Sequence, residues 1–259
     1  MIMIELKNAI FLGIVQGLTE WLPISSSGHL VIVQQTLNLN VPLLFDVMLH
    51  FGTLLAVFVV FWKDIFKIFK SLFSLDFKSE NGKIVKFIII GTIPVALLGF
   101  FLHDIFESFF SNLFSVGIAL IITGIILLLT KKCRGRKKLN SSDSLLIGIA
   151  QAIALMPGIS RSGITISTGL LRGIDKEKIY RFSFLLSIPA IIGANLLELS
   201  KQVITEIEKI PYIIGTIIAA IMGYLSLRFL FRILKGGKFY YFSFYCLILG
   251  ILILIYSSI

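Results

Sequence analysis

Apolar runs about twenty residues long, separated by short polar connections, dominate the chain. Six of them, at roughly 43–62, 84–102, 113–131, 180–198, 211–230 and 239–257, reach the ~20 residues that a helix needs to cross ~30 Å of hydrocarbon. Two other regions break the pattern. Residues 8–20 and 26–36 are each too short to span, and Pro23, the serines and Gly28 interrupt them. Residues 144–156 and 161–171 repeat that interruption around Pro157 and Gly158. Irregular backbone at membrane depth is tolerated where it faces a polar cavity, so both regions are expected to form re-entrant helical hairpins, 8–36 and 144–171. The expected fold is an all-α integral membrane protein with six transmembrane helices and two re-entrant hairpins, forming a single membrane domain over 1–259.

Composition agrees with this pattern: 57% of the 259 residues are hydrophobic and 15% are charged, against about 25% charged in soluble domains. The formal net charge of +10 would suit nucleic acid, but its placement excludes that partner. Lys and Arg in 63–86, 131–138, 172–181 and 228–238 number six, six, four and four, which is 20 of the 24 basic residues. The alternate loops 34–46, 103–112 and 199–210 hold only Lys201 and Lys209. Positive-inside bias therefore predicts that the four basic segments are cytoplasmic and that both termini lie outside. The N-terminus has no basic region and no Ala-x-Ala site, so no cleaved leader is expected. Cys133 lies in a basic loop and Cys246 in a span, which predicts neither a disulfide nor a metal framework. The pattern leaves monomer and homodimer both open.

Internal repetition supplies the topology. Ile24-Ser25-Ser26-Ser27-Gly28 returns as Ile159-Ser160-Arg161-Ser162-Gly163, and Gly13-Ile14-Val15-Gln16 returns as Gly148-Ile149-Ala150-Gln151, both at an offset of 135. Ile89-Ile90-Gly91-Thr92-Ile93 recurs as Ile213-Ile214-Gly215-Thr216-Ile217 at an offset of 124, with Ala96 and Gly99 echoed by Ala220 and Gly223. Each half, 1–135 and 136–259, holds one hairpin and three spans. Three is odd, so the halves are expected to insert with opposite topology, as an inverted repeat. Such repeats bring broken helices together near the bilayer midplane, with helix N-termini aimed at a bound anion.

Polar residues in this apolar setting are the candidates for chemistry. Gln16 and Glu20 are four apart, on one face of a helix. Ser25, Ser26 and Ser27 follow the Pro23 break as a helix N-cap would. Three hydroxyls exceed what one cap needs, and with the free N–H groups of a helix start they suit a phosphate. Ser160 and Ser162 repeat the arrangement, and Arg161 adds a guanidinium fork that fits phosphate oxygens. His29 lies within a helical turn of Ser26, and a serine needs a neighbouring base to become a nucleophile. His50, inside a span, and His103, at a helix end, have no motif around them and are expected to be structural. Arg172, Lys176, Lys178 and Arg181 read as cytoplasmic anchors.

The motifs Gln16-Gly17-Leu18-Thr19-Glu20, Leu22-Pro23-Ile24-Ser25-Ser26-Ser27-Gly28-His29 and Pro157-Gly158-Ile159-Ser160-Arg161-Ser162-Gly163-Ile164-Thr165 give the chain its likeness to a known family. It resembles the undecaprenyl-diphosphate phosphatases, integral membrane enzymes of bacterial cell-wall lipid recycling that also confer bacitracin resistance. The resemblance implies hydrolysis of a C55 polyprenyl diphosphate at a site open to the outer face of the plasma membrane. It implies a divalent cation, Mg²⁺ or Ca²⁺, near Glu20 and Gln16. Ser26 and His29 would be the catalytic pair, Ser26 as nucleophile with His29 as its base and His29 as nucleophile the alternative, and Arg161 would be the phosphate clamp. Ser25, Ser27, Ser160, Ser162 and Thr165 would contact substrate. The first place of the acidic motif, often Glu in the family, is Gln16 here, which weakens a two-carboxylate metal site. Another family of membrane lipid phosphatases shares a Pro-Ser-Gly-His type motif but requires a second His after its Arg, and this chain has none beyond His103. The rival class is a lipid-phosphate flippase or anion transporter, which the inverted repeat would also serve. Glu20 beside His29 favours hydrolysis, because a pure anion carrier gains nothing from a carboxylate at its site.

Overall fold

The computed structural model describes residues 4–102, 105–106, 109, 112–133, 135–201, 209–235 and 237–258. Eleven α-helices and two short 3₁₀ turns account for most of these, and the β-pairing among them is one isolated bridge, Lys137 to Ile174. The six apolar runs form α3 (Leu43–Val60), α5 (Glu80–Phe101), α6 (Leu113–Leu129), α9 (Lys176–Lys201), α10 (Lys209–Lys235) and α11 (Phe242–Ser257). Together with their flanking 3₁₀ turns these are the six helical stretches long and apolar enough to cross a membrane. The six expected spans are therefore present, within a few residues at each end.

The interrupted regions form two pairs of short helices: α1 (Leu6–Glu20) with α2 (Ser26–Thr36), and α7 (Ser141–Ile153) with α8 (Arg161–Leu171). At a rise of ~1.5 Å per residue none of the four is long enough to span. Between the spans, α4 (Trp62–Phe73) was expected only as part of a basic loop. Trp62, Phe66, Phe69 and Phe73 are exposed along one side of it, interleaved with Lys63, Lys67 and Lys70. That is the pattern of a helix lying in a membrane interface.

Packing repeats between the halves. α1 lies against α10 and α7 lies against α5. Both contacts depend on a glycine where two backbones meet. A Cβ on Gly13 would sit 2.7 Å from the Gly215 carbonyl oxygen, and one on Gly148 would sit 2.3 Å from that of Gly91. Only glycine permits so close an approach. The largest core cluster surrounds the fully buried Trp21, which meets Phe184 edge-to-face at 5.7 Å.

The base of the α7–α8 pair is fastened by charge. Asp143 is buried and accepts from Lys137 Nζ (2.9 Å) and Arg172 Nε (3.0 Å). Burial alone would push its carboxyl up; the two cations hold it below its ordinary value. Arg181 on α9 donates to Asp64 on α4 in the same way. Two of the expected anchors, Arg172 and Arg181, thus tie helices together.

Candidate functional site

α1 ends at Glu20, the chain turns through Trp21–Ser25, and α2 begins at Ser26. The turn depends on Ser25, whose φ of 67° lies in the left-handed region. That conformation costs a non-glycine residue on the order of 1–3 kcal/mol. Part of the cost is offset locally, because Ser25 Oγ accepts from the Gly28 N–H (3.2 Å) and caps α2. In the other pair the positive φ, 96°, falls on Gly158. Thr123 on α6 clamps that turn, donating to the Gly158 carbonyl (3.0 Å) and accepting from the Ser160 N–H (3.1 Å). Ser160 Oγ then accepts from the Gly163 N–H (3.1 Å). The hydroxyls pair identically: Ser25 with Ser27 and Ser160 with Ser162, each at 3.3 Å. Of the serines expected to meet substrate, Ser25 and Ser160 thus act as caps.

The two turns touch. Ser162 Oγ donates to the Leu22 carbonyl (3.3 Å), and a Cβ on Gly28 would lie 3.1 Å from Gly158 Cα. This brings Arg161, the first residue of α8, against Glu20, the last of α1. Arg161 Nη2 donates to Glu20 Oε1 at 2.8 Å. Glu20 Oε2 accepts from Ser26 Oγ (2.5 Å) and Gln16 Nε2 (3.0 Å), with His50 Nε2 at 3.4 Å. The Glu20 and Arg161 side chains are 5% and 15% exposed. Neither charge would be stable there without the other. The guanidinium also lies 5.0 Å from the centre of the Trp21 ring. Its second terminal nitrogen, Nη1, is buried without a hydrogen-bond partner, and such a donor marks a place for an absent acceptor.

The expected contact between His29 and Ser26 is not formed. His29 Nδ1 bonds the Ser25 carbonyl (2.7 Å), which can only accept, so Nδ1 carries the proton. Nε2 therefore accepts from the Tyr245 hydroxyl on α11 (2.6 Å), and the two rings stack at 5.7 Å. The side chain reaches back one turn along α2 and across to α11, whereas Ser26, at the first position of α2, faces α1. Thr165 is also engaged away from Glu20, bonding the Arg161 carbonyl (2.8 Å) and Ser183 on α9 (2.7 Å). It buttresses the backbone at Arg161.

His50 is the neighbour that sequence reasoning set aside. Its Nδ1 donates to the Asp46 carbonyl (2.8 Å), leaving Nε2 towards Glu20. The Asp46 carboxylate accepts from Gln34 at 2.8 and 3.0 Å. An Asp and a His four apart in an apolar span form one polar face, a signal available in the sequence. His103 lies outside the described residues.

Among the described residues no group of three or more His, Cys, Asp or Glu could hold a metal. The oxygens that are present do suit a hard cation in part. Glu20 supplies a carboxylate, and Gln16 Oε1 is buried with no hydrogen-bond partner. Mg²⁺ is commonly held by one or two carboxylates plus substrate phosphates, without an all-protein cage. The donor set fits that mode and needs substrate oxygens to complete it.

A hydroxyl bonded to a carboxylate, a guanidinium with an unused donor and two helix N-termini are groups that attack on an anionic phosphoryl group can use. The fold defines a multi-pass membrane protein with this polar cluster where its two broken helix pairs meet. The chain belongs to the family described as bacitracin resistance protein BacA, whose model matches residues 9–252. It is 43% identical to an undecaprenyl-diphosphatase of Halothermothrix orenii, covering 98% of this chain and 99% of the relative. Similar proteins of the same name from Korarchaeum cryptofilum and Carboxydothermus hydrogenoformans are each 44% identical, covering 96% and 97% of this chain and 98% and 97% of the relatives.

Proposed function

We propose that this protein is an undecaprenyl-diphosphatase that removes the terminal phosphate of undecaprenyl diphosphate, recycling the lipid carrier for cell-wall synthesis and conferring bacitracin resistance. The observation that carries this reading is the Ser26 hydroxyl held on Glu20 while Arg161 reaches the same carboxylate from the other helix pair. Ser26 Oγ attacks the terminal phosphorus as its proton passes to Glu20 Oε2, and the bridging oxygen leaves with the lipid monophosphate. Glu20 replaces His29 as the expected base, because it is Glu20 that the hydroxyl meets. Arg161 Nη1 and the N–H groups of α2 and α8 take the non-bridging oxygens, whose charge grows in the transition state. The leaving phosphate recovers the proton from Glu20. Glu20 then accepts a proton from the water that cleaves the phosphoserine and returns it to Ser26 Oγ. A divalent cation would be held by Glu20 and Gln16 and, when bound, neutralises the diphosphate.

The same reading includes an inverted repeat of residues 1–135 and 136–259, with re-entrant pairs α1–α2 and α7–α8. It places both termini outside, the basic segments in the cytoplasm and the site open to the outer face of the plasma membrane. The matched glycine contacts of Gly13 and Gly148, and the loop charges, support it. Phosphate release from undecaprenyl diphosphate by purified protein, with and without chelator, tests the proposal. Release that stops with chelator and returns with Mg²⁺ or Ca²⁺ is expected. No release under either condition would sink the hydrolase reading and favour a lipid-phosphate flippase.

A further inference from the structure

Three side chains converge on Glu20 Oε2. Ser26 Oγ and Gln16 Nε2 donate to it, and His50 Nε2 reaches it from α3 at 3.4 Å. Ser26 and Gln16 have parts in the proposed reaction, and His50 has none. The His50 ring is nevertheless fixed in one tautomer. Nδ1 lies 2.8 Å from the Asp46 carbonyl oxygen, which can only accept, so Nδ1 carries the proton. Asp46 is itself held, because its carboxylate accepts twice from Gln34 on α2 (2.8 and 3.0 Å). In a neutral ring Nε2 then presents a lone pair to a carboxylate that is only 5% exposed. Two acceptors that meet in a buried place need a positive group between them.

A proton on Nε2 is one such group and a metal ion is the other. Distance favours the ion. A charge-assisted N–H···O bond closes to about 2.7–2.9 Å, shorter than the 3.4 Å between Nε2 and Oε2. Two ligands each about 2.0–2.1 Å from one ion stand about 2.9–3.4 Å apart as the angle between them opens from a right angle to a tetrahedral one. The other ring nitrogen agrees, because a metal-ligating histidine donates its second N–H to a carbonyl or carboxylate, as His50 Nδ1 does. We propose that His50 Nε2 is a ligand of the divalent cation assigned to Glu20 and Gln16, which makes the site a mixed nitrogen–oxygen one. The inference rests on the cation of the proposed function and adds the preference that a nitrogen brings. Ca²⁺ takes oxygen ligands, whereas imidazole draws a site toward the first-row transition metals. Mn²⁺, which accepts both nitrogen and oxygen, should therefore bind more tightly than Ca²⁺.

Mn²⁺ is also the probe, because its electron paramagnetic resonance reports the bound ion directly and needs no turnover. Purified protein in detergent would be loaded with Mn²⁺ together with a non-hydrolysable prenyl methylenediphosphonate, which supplies the phosphate oxygens. Electron spin echo modulation should show a coupled ¹⁴N that becomes ¹⁵N when the histidines alone are labelled. His50→Gln should abolish that coupling and raise the Kd for Mn²⁺ on the order of 10–100-fold, while His29→Gln should leave both as they are. His50→Asn should act like His50→Gln and guards against misfolding of one variant. A histidine coupling that persists in monodisperse His50→Gln protein, or one lost in His29→Gln instead, would overturn the proposal and leave His50 a hydrogen-bonding neighbour of Glu20. If the unsubstituted protein binds Mn²⁺ without any histidine nitrogen, this inference alone fails. If it binds no Mn²⁺, the cation of the proposed function fails and this inference with it.

Discussion

The two broken helix pairs share one backbone plan and differ in what they present. Both carry a serine cap on a glycine N–H, both pair two hydroxyls at 3.3 Å, and both abut a glycine of the other half. At the first position of the second helix, one offers the Ser26 hydroxyl and the other the Arg161 guanidinium. At the end of the first helix or just beyond it, one offers Glu20 and the other Leu155. The consequence is visible one turn earlier. Gln16 donates to Glu20, whereas its counterpart Gln151 is buried with neither amide atom hydrogen-bonded. The second pair has the amide without a hydrogen-bond partner. In the proposed mechanism the two pairs divide the labour, with the hydroxyl and its base on one side and the clamp on the other.

Substitutions can break that division at different depths. Ser26→Ala removes the group that the proposed mechanism makes the nucleophile, and turnover should fall on the order of 10⁴-fold or more. Phosphate release by purified protein would show it, and residual turnover above that level would deny Ser26 its role. Arg161→Lys keeps the charge but cannot give bidentate contact. It should insert and fold normally yet lose about 10²-fold in turnover, the scale of one oriented donor. Turnover within a few-fold of the parent would reduce Arg161 to a counter-ion of Glu20.

Smaller effects separate anchoring from chemistry. Asp143→Asn leaves Lys137 and Arg172, each about half-exposed, free to turn to solvent, so it should cost about 1–2 kcal/mol of stability. The Asp143 pKa is lower in the folded protein than in the unfolded chain. Its contribution is therefore present above the unfolded value, ~3.9, and disappears as pH falls through the lower folded value. The Tm gap between parent and variant should hold constant from about pH 8 to about pH 5 and close only below about pH 4. A gap that closed near neutrality would mean that another group fastens this base. The smallest effect belongs to Gln151→Leu. Removing an unsatisfied buried amide should leave stability unchanged or raise it by up to ~1 kcal/mol. Gln16→Leu should instead lower turnover, and equal behaviour of the two would contradict the divided roles.

The six spans were legible because length and hydrophobicity alone decide them, and the two breaks because proline, glycine and serine clusters cannot hide in apolar sequence. The repeat offset also made the opposition of Ser26 and Arg161 readable. The direction of the hydroxyl was not. Spacing put His29 within a turn of Ser26, but helix geometry turns Ser26 to α1 and lets His29 bond its own backbone and Tyr245. Asp46 and His50 were legible as one polar face, four apart in an apolar span, but the contact of His50 with Glu20 joins α3 to α1 across thirty residues and no local motif records it. α4 escaped for a different reason. Its lysines identified a basic segment, and the aromatic residues between them, spaced three and four apart, went unused.

The central claim is that the phosphoryl group passes through a serine where the two helix pairs meet. The stereochemical course at the terminal phosphorus tests it without requiring an intermediate to accumulate. With a prenyl diphosphate made chiral at that phosphorus by sulfur and oxygen isotopes, two successive displacements predict retention of configuration in the released thiophosphate. Inversion would mean that water attacks the substrate directly, and Ser26 would then have no covalent part in the reaction.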